Sequence, residues 1–385
     1  MNLPFAGVAL AFILVFLNVK YKRSPSWKHA LLRVDFLGNA ILIPSIIAVL
    51  FGLTFGGVHY PWRSYHIVVP LVLGSLGWIA FHIHQASPIC KEPSMPPRLF
   101  TNRTSAAGYI LTIISSMLLQ SIGFFMPVYF QAVLGTSPLQ AGVNLLPTTI
   151  AVVPFGIGGG TLMSKTGLYR PLHFVGMALS AIGAGLFTTL VINSSKAAWI
   201  CFQIIMAAGG GIIAASTLPA ILAGLPESDV ATASGAFSFL RSFGHVWGVV
   251  LPSIVLNGQF VKHAHRIGDA AVQSQLSSGA AYSYASGGFI KSLPAELKLK
   301  VLSVYVDSLE TVWQGMLAFA LFGFLCVFLE KQIELRKELD TEYGIENEKE
   351  AASELEAARS YVVTDTGDQE EKAARTTSDI ETNKQ

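Results

Sequence analysis

Charged residues are scarce in this chain, and cysteines are scarcer still. Of its 385 residues only 13% are charged, whereas 52% are hydrophobic; soluble globular chains usually carry about 25% charged residues. The composition excludes an ordinary soluble protein and indicates a membrane protein. Fifteen of the 24 acidic residues fall in 331–385, so the net charge of +2 combines a basic apolar part with an acidic tail. That distribution predicts no nucleic-acid partner.

The motifs of catalysis are also lacking. The chain has no nucleophile elbow, no phosphate-cradling loop and no dinucleotide fingerprint after a strand, so we expect neither an enzyme nor a cofactor. The three cysteines are far apart and lie in or beside apolar runs, which favours packing roles over disulfides: Cys90, Cys201 and Cys326. His82 and His84 are two residues apart and so do not share a helix face. No metal site is predicted.

Long apolar runs are what the chain does have. A helix needs about 20 mostly apolar residues to cross the hydrocarbon core of a bilayer. By that measure we predict an all-α polytopic membrane protein. Its nine predicted spans cover 2–19, 36–54, 66–84, 106–130, 142–162, 171–192, 197–222, 235–256 and 309–329.

The positions of Lys and Arg predict how the spans are oriented. Basic loops follow the first, third and fifth spans, and cytoplasmic loops retain such residues. We therefore expect a multi-pass protein of the plasma membrane or vacuole with a cytoplasmic C-terminus. Asn193 begins a sequon in an outside loop and is a possible glycosylation site. Residues 257–308 would form a long outside loop with a short helix near 293–308.

The acidic tail is expected to begin as a continuation of the last span. Charged residues at helical spacing around Glu330 to Asp340 indicate that the helix extends past the membrane. After about residue 343 the segment is polar enough to be disordered.

A short basic turn joins the fifth and sixth spans. Taken alone, its residues predict close helix packing at the glycines and contacts from the two basic side chains to helix carbonyls or lipid headgroups. The turn also resembles the Gly-x-Leu-x-Asp-Arg-x-Gly-Arg signature of major facilitator transporters, with Ser164 in place of Asp. The matching residues are Gly160, Leu162, Lys165, Gly167 and Arg170.

Three further segments extend this resemblance to fungal fourteen-helix drug:proton antiporters. Residues 2–7 resemble the opening of the sixth helix, 37–84 the two extra central helices, and 229–244 the thirteenth helix with its preceding loop. The resemblance implies a major facilitator fold that comprises the second half and the linking helices, with the N-terminal half incomplete. It implies these parts: 1–35, the first span and a basic loop; 36–105, the linking helices; 106–330, the six-helix half; and 331–385, the tail.

The same resemblance implies a function. The family moves small amphipathic molecules outward by alternating access and couples this to protons. The implied partners are the lipid bilayer, a small-molecule solute, protons, and a missing N-terminal half supplied in cis or in trans. The alternative is a truncated, non-transporting membrane fragment or scaffolding protein.

Polar side chains within the spans are the candidate solute contacts, because each is costly in hydrocarbon. By the resemblance, Gln120, Phe124 and Tyr129 would line a central cavity, and Asn144 and Gln203 are weaker candidates. All five also admit a packing role between helices.

Arg241 is a full charge inside a predicted span, where a long side chain can also reach the membrane surface as an anchor. His245 is one turn away, and the adjacent positive charge makes it a poor proton carrier on its own.

Overall fold

The computed structural model describes residues 2–16, 19–20, 34–90, 93–277, 281–285, 288–335 and 344–345. The chain divides into two compact units, one of 1–30 with 338–385 and one of 31–337. In the first unit, helix α1 covers Asn2–Phe16, and strands β1 (Val19–Lys20) and β2 (Gly344–Ile345) pair antiparallel. Fifteen residues give about 22 Å of helix, less than the roughly 30 Å of a hydrocarbon core. Residues 346–385 lie outside the described part.

The second unit holds the other helices, both long and short. They are α2 Phe36–Phe55, α3 Tyr65–Ala86, α4 Arg103–Val128, α5 Pro138–Asn144, α6 Leu146–Thr166, α7 Arg170–Phe187, α8 Lys196–Ala223, α9 Val230–His263, α10 Ala270–Ser277, α11 Ala281–Tyr284, α12 Gly288–Ser292 and α13 Ala295–Cys326. A π-helical turn, Tyr129–Val133, extends α4, and 3₁₀ turns cover Pro97–Phe100, Glu227–Asp229, Ala264–Arg266 and Val327–Leu329. Within the described residues, eight helices are long and apolar enough to cross a membrane. The all-α polytopic fold is confirmed.

Local chemistry sets where these helices begin and end. Asn102 and Ser195 cap α4 and α8, because their side-chain oxygens accept hydrogen bonds from Thr104 N–H and Ala198 N–H. Helix α6 ends at Gly167, whose φ of 68° lies in the left-handed region that suits glycine, and whose N–H donates to Met163 O. The short turn after it lets α7 begin three residues later.

Helix α4 is the centre of a six-helix bundle made of α4, α6, α7, α8, α9 and α13. It packs against α8, α9 and α13, while α8 also packs against α6 and α7. Glycines allow the closest approaches: a Cβ on Gly244 would lie 2.5 Å from Ile113 O, and one on Gly248 would lie 2.9 Å from Gln120 Cβ. Since successive α9 glycines meet successive α4 residues, the two helices run parallel. Helices α2 and α3 form a separate hairpin that meets α9.

The bundle has two ends, which we call the basic end and the far end. The basic end comprises 97–103, 164–170, 224–229 and 327–335, and includes Arg98, Arg103, Lys165 and Arg170. The far end comprises 134–138, 188–195, 264–277, 281–285 and 288–294.

Two helices are much longer than the roughly 30 Å hydrocarbon core of a bilayer. At about 1.5 Å per residue, α9 and α13 measure about 51 and 48 Å. Residues 257–308 were predicted to form a loop, but both ends of that segment are helical. Helix α9 runs to His263, and α13 starts at Ala295. The short helix predicted near 293–308 is thus the first part of α13. The shorter helices between them pack onto it; Tyr305 Oη donates to Ala281 O at 2.6 Å.

The continuation of the last helix past Glu330 was a wrong prediction. After the 3₁₀ turn Val327–Leu329, residues 330–335 have no helical structure. Their polar groups bind the bundle instead: Glu330 contacts His173, and Thr104 Oγ1 lies 3.1 Å from Lys331 N. Residues 336–343 lie outside the described part.

Candidate functional site

The contact between α4 and α9 positions the first group of candidate residues. Besides the glycine approaches, Ser121 Oγ lies 2.8 Å from both Gly248 O and Met117 O. A hydroxyl held between two helices fixes their register. Gln120 therefore lies level with Gly248, about one helical turn beyond His245 along the bundle.

Gln120 and Phe124 share one exposed side of α4. Gln120 is half-buried, and its amide has no hydrogen-bond partner within the part of the chain that the structure describes. Gly123 is exposed beside it, and Phe124 is 37% exposed. Positions i, i+3 and i+4 lie on one helix face, so an open amide and an open aromatic ring are adjacent.

Helix α9 carries a stripe of polar side chains, Ser238, Arg241, Ser242 and His245, which we call the α9 polar stripe. The first three are exposed and His245 is half-buried. The two serine hydroxyls donate to the carbonyls four residues earlier, at 2.9 Å. Arg241 and His245 have no ion-pair or hydrogen-bond partner among the described residues. Ionisable groups in membrane spans usually face a protein interior or a water-filled cavity.

Three other predicted cavity residues are used in packing. Tyr129 is 1% exposed and donates its hydroxyl to Val191 O at 2.8 Å. Gln203 is fully buried; its amide accepts from Thr148 Oγ1 at 2.9 Å and donates to Asn144 O and Trp199 O. The Asn144 side chain accepts from Gln140. Tyr129 and Gln203 thus bond to other segments, whereas Asn144 contributes its backbone oxygen and its side chain bonds within α5.

The basic-turn residues fall into two groups. Gly160 lies where α6 approaches α8, since a Cβ added to it would lie 3.8 Å from Ala215 Cβ, and Gly167 makes the turn. Leu162 and Lys165 are exposed. The Arg170 guanidinium lies 5.6 Å from the centre of the Phe174 ring, a cation–π contact.

A buried ionisable pair lies next to this turn and was missed from the sequence. His173 Nδ1 lies 2.8 and 2.9 Å from the Glu330 carboxylate oxygens, and both side chains have no exposed surface. The other ring nitrogen, Nε2, is buried without a partner in the described residues. His173 is the third residue of a predicted span and could have been flagged as an intramembrane ionisable group. The 157 residues that separate it from Glu330 concealed the pairing.

Tyr169 and Thr104 complete a cluster that we call the basic-end clasp: Thr104, Tyr169, His173, Glu330 and Lys331. The Tyr169 hydroxyl donates to Lys331 O and accepts from Ile333 N–H at 2.9 Å. Burial raises the pKa of this hydroxyl, and the Ile333 hydrogen bond opposes that rise only in part. The clasp joins the starts of α4 and α7 to the segment after α13.

Two further clusters hold the loops at the same end. Arg98 binds the Asp229 carboxylate through Nε at 3.1 Å and Nη2 at 2.9 Å, and that bond raises the pKa of Arg98. Asp35 accepts from Gly38 N–H at 2.8 Å, from His84 Nε2 at 3.1 Å and from Gln85. Burial raises the pKa of Asp35, but these hydrogen bonds outweigh it and the net pKa is lowered.

Asp35 and His84 also lie close to Cys90. Their potential ligand atoms fall within 4.8 Å of one another, a grouping that the sequence did not suggest. The hydrogen bonds of Asp35 occupy both carboxylate oxygens and account for this cluster as a helix cap. The absence of a metal site remains a prediction.

Known proteins resemble this chain over most of its length. The model of the Major Facilitator Superfamily matches residues 4–249, more than half of the chain. The chain belongs to this superfamily. The resemblance at the basic turn is therefore confirmed at the level of the superfamily, and the narrower match to the last nine helices of a fourteen-helix antiporter stays a prediction.

Several proteins similar to this chain are fungal transporters. It is 49% identical over 356 residues to the MFS efflux transporter aclA of Aspergillus oryzae, covering 92% of this chain and 64% of aclA. It is 43% identical over 363 residues to the efflux pump FUS6 of Gibberella fujikuroi, covering 94% and 65%. It is 42% identical over 358 residues to the MFS-type transporter gkaD of Penicillium citrinum, covering 93% and 61%. The facilitator thus spans slightly less than two thirds of these relatives.

Proposed function

We propose that this facilitator exports small amphipathic molecules by alternating access, coupled to protons. The observation that carries the proposal is the α9 polar stripe: an exposed arginine and a half-buried histidine, unpaired within the described residues, lie on a membrane-spanning helix. Such groups are costly in hydrocarbon unless they reach the membrane surface. A water-filled solute path along α9 removes that cost, and the names of the relatives agree with export.

Gln120 and Phe124 supply the recognition chemistry on α4. An amide that lacks a partner among the described residues can exchange hydrogen bonds with a solute, and an open ring offers apolar contact area. Amphipathic solutes satisfy both groups at once. Tyr129 and Gln203 hold the surrounding segments in place through their hydrogen bonds.

The basic-end clasp supports movement of the six helices as one body. It lies within the bundle and ties α4, α7 and the segment after α13 together. Transporters of this kind rock one half against another around a midplane site. We propose that a second half, in cis or in trans, faces the α9 polar stripe and completes the path.

Export can be tested in cells that express this chain with and without its relatives' N-terminal segment. A fluorescent lipophilic cation is loaded, and its retention is compared with that in cells carrying an empty vector. Proton coupling predicts that a protonophore abolishes the difference in retention. If retention stays lower than in empty-vector cells after the proton gradient collapses, the coupling is refuted and export remains.

An alternative function is a membrane scaffold that moves no solute. This chain covers 64% of aclA and 65% of FUS6, and export is named for those whole proteins. Purified chain in proteoliposomes distinguishes the two, because a scaffold gives no uptake even with an imposed pH gradient. Mapping the 5′ end of the transcript shows whether further spans precede Met1 in the cell.

Orientation and location are part of the proposal. We place the basic end in the cytoplasm and Asn193 outside, in the plasma membrane or the vacuolar membrane. Asn193 is exposed in the turn between α7 and α8. A mass shift on glycosidase treatment that is lost in Asn193→Gln supports this orientation. A C-terminal tag that is cleaved by protease added outside intact cells contradicts it.

A further inference from the structure

The hairpin and the six-helix bundle leave a crevice between them. It has a volume of about 250 Å³ and lies between α2 and α3 on one side and α4 and α9 on the other. Its walls are mainly aromatic: Trp78, Phe81, Phe100, Tyr109, Phe239 and Phe243. The Trp78 and Phe243 rings meet across it with centroids 5.1 Å apart. We call this space the hairpin crevice.

The polar atoms of the hairpin crevice are nearly all engaged. Tyr109 Oη lies 3.3 Å from Ala233 O, and Trp78 Nε1–H donates to His82 Nε2 at 2.7 Å. Because Nε2 accepts, the ring proton of His82 sits on Nδ1. His82 is exposed, so its Nδ1–H can donate to a group at the entrance of the apolar crevice.

The depth of the hairpin crevice matches one leaflet. His82 and Trp78 lie about 6 and 12 Å along α3 from its last residue, Ala86. Half of a hydrocarbon core is about 15 Å thick. The donor therefore lies nearer the membrane surface than Trp78 does, on the side of the basic end.

We propose that the hairpin crevice binds one acyl chain of a glycerophospholipid from the leaflet at the basic end. The chain fills the aromatic space, and an ester or phosphate oxygen accepts from His82 Nδ1–H. Three observations select this occupant: the depth, the order of polar and apolar groups along it, and the volume. Pockets for drug-sized molecules usually hold about 300–1,000 Å³, so the crevice suits a chain segment better than a whole solute. This lipid site does not depend on whether the protein exports a solute.

Photolabelling locates the lipid. The full chain is placed in nanodiscs that contain phosphatidylcholine with a diazirine midway along one acyl chain, irradiated and digested for mass spectrometry. We expect label on peptides covering 78–113 and 239–243 above that on the exposed residues Ile150, Val153 and Ile157 of α6. Equal labelling of α6 overturns the proposal.

A filling variant makes the test specific. Ala106 lines the hairpin crevice, and Ala106→Phe should reduce labelling there at least fivefold. Ala318→Phe makes the same change at a position of α13 away from the crevice and should leave it unchanged. Unchanged labelling in Ala106→Phe overturns the proposal. If that variant does not fold, the labelling of the wild-type protein still tests the proposal, because it compares the crevice with the exposed face of α6 in one protein.

The donor is tested separately. Delipidated protein is titrated with phosphatidylcholine and followed by native mass spectrometry. Loss of one hydrogen bond in His82→Phe should weaken binding about threefold to tenfold, whereas His59→Phe, in the turn between α2 and α3, should not. Displacement of the photolabel by micromolar lipophilic cation would assign the crevice to solute and overturn the lipid proposal.

Discussion

Two groups of ionisable side chains in this facilitator have opposite environments. His173 and Glu330 are fully buried and bound to each other. Arg241 is exposed, His245 is half-buried, and neither has a partner within the described residues. A paired buried group is part of the packing, and removal of one partner leaves the other buried without compensation. An open, unpaired charge in a span contributes little to packing, so its presence points to what passes or binds beside it.

The largest expected effect comes from breaking the buried pair. His173→Ala leaves the Glu330 carboxylate buried without its partner, which costs about 3–5 kcal/mol of unfolding free energy. The double variant His173→Leu with Glu330→Leu should recover most of that loss, since both polar groups are replaced. Thermal unfolding in detergent measures both. Equal destabilisation in the single and double variants would show that shape, and not pairing, holds the clasp.

The next prediction concerns the packing of α4 against α9, which holds the exposed polar side chains of α9 in position. Gly248→Ala places a Cβ 2.9 Å from Gln120 Cβ, and overpacking of this kind costs about 1–3 kcal/mol. Gly258→Ala is the matched control, because nothing lies within 4 Å of its Cβ position on the same helix. Unfolding midpoints should fall in the first variant and hold or rise in the second. Similar midpoints would mean that the helices separate easily.

The open group should behave in the reverse manner to the pair. Arg241→Leu should change the unfolding free energy by less than about 0.5 kcal/mol, as surface substitutions do. Export of the lipophilic probe should nevertheless fall by about tenfold, equivalent to about 1.4 kcal/mol. Ser238→Leu, on the same stripe, controls for added apolar surface. A strong loss of stability in Arg241→Leu would place Arg241 with the structural charges.

The smallest effect is a pH dependence at Asp35. Its net pKa is lowered in the folded protein, so the unfolded state binds protons first as the pH falls. The stabilisation is complete at neutral pH and is lost below the ordinary carboxyl pKa of about 3.9. Asp35→Asn should be less stable than wild type at pH 7, and the difference in stability should shrink as the pH falls below that ordinary carboxyl pKa. Parallel curves across that range would contradict the assignment.

Sequence reasoning recovered the features that depend on neighbours along the chain. Apolar run length gave eight of the nine predicted spans as far as the described residues go, and a short basic turn was expected after α6, although its span was drawn to end at 162 and the helix runs to Thr166. The spans at α9 and α13 were drawn too short because their polar far-end turns do not look like membrane helix. They are stabilised by contacts such as that of Tyr305 with Ala281.

The candidate site was predicted less well, for a related reason. Gln120 and Phe124 share a helix face by spacing alone, so their proximity could be predicted. Tyr129 and Gln203 looked the same from the sequence, and only their partners Val191 and Thr148 identify them as packing residues. Partners that lie 62 and 55 residues away leave no periodic signal.

The long helices α9 and α13 have a practical consequence for imaging. About 20 Å of α9 would project past a 30 Å hydrocarbon core, and α10, α11 and α12 lie between the projecting ends. Arg266 and Asp307 form an ion pair there. An ordered outcrop beyond the detergent belt is what particle alignment in electron cryomicroscopy requires of a small membrane protein. An antibody fragment raised against it would give each particle a fixed marker.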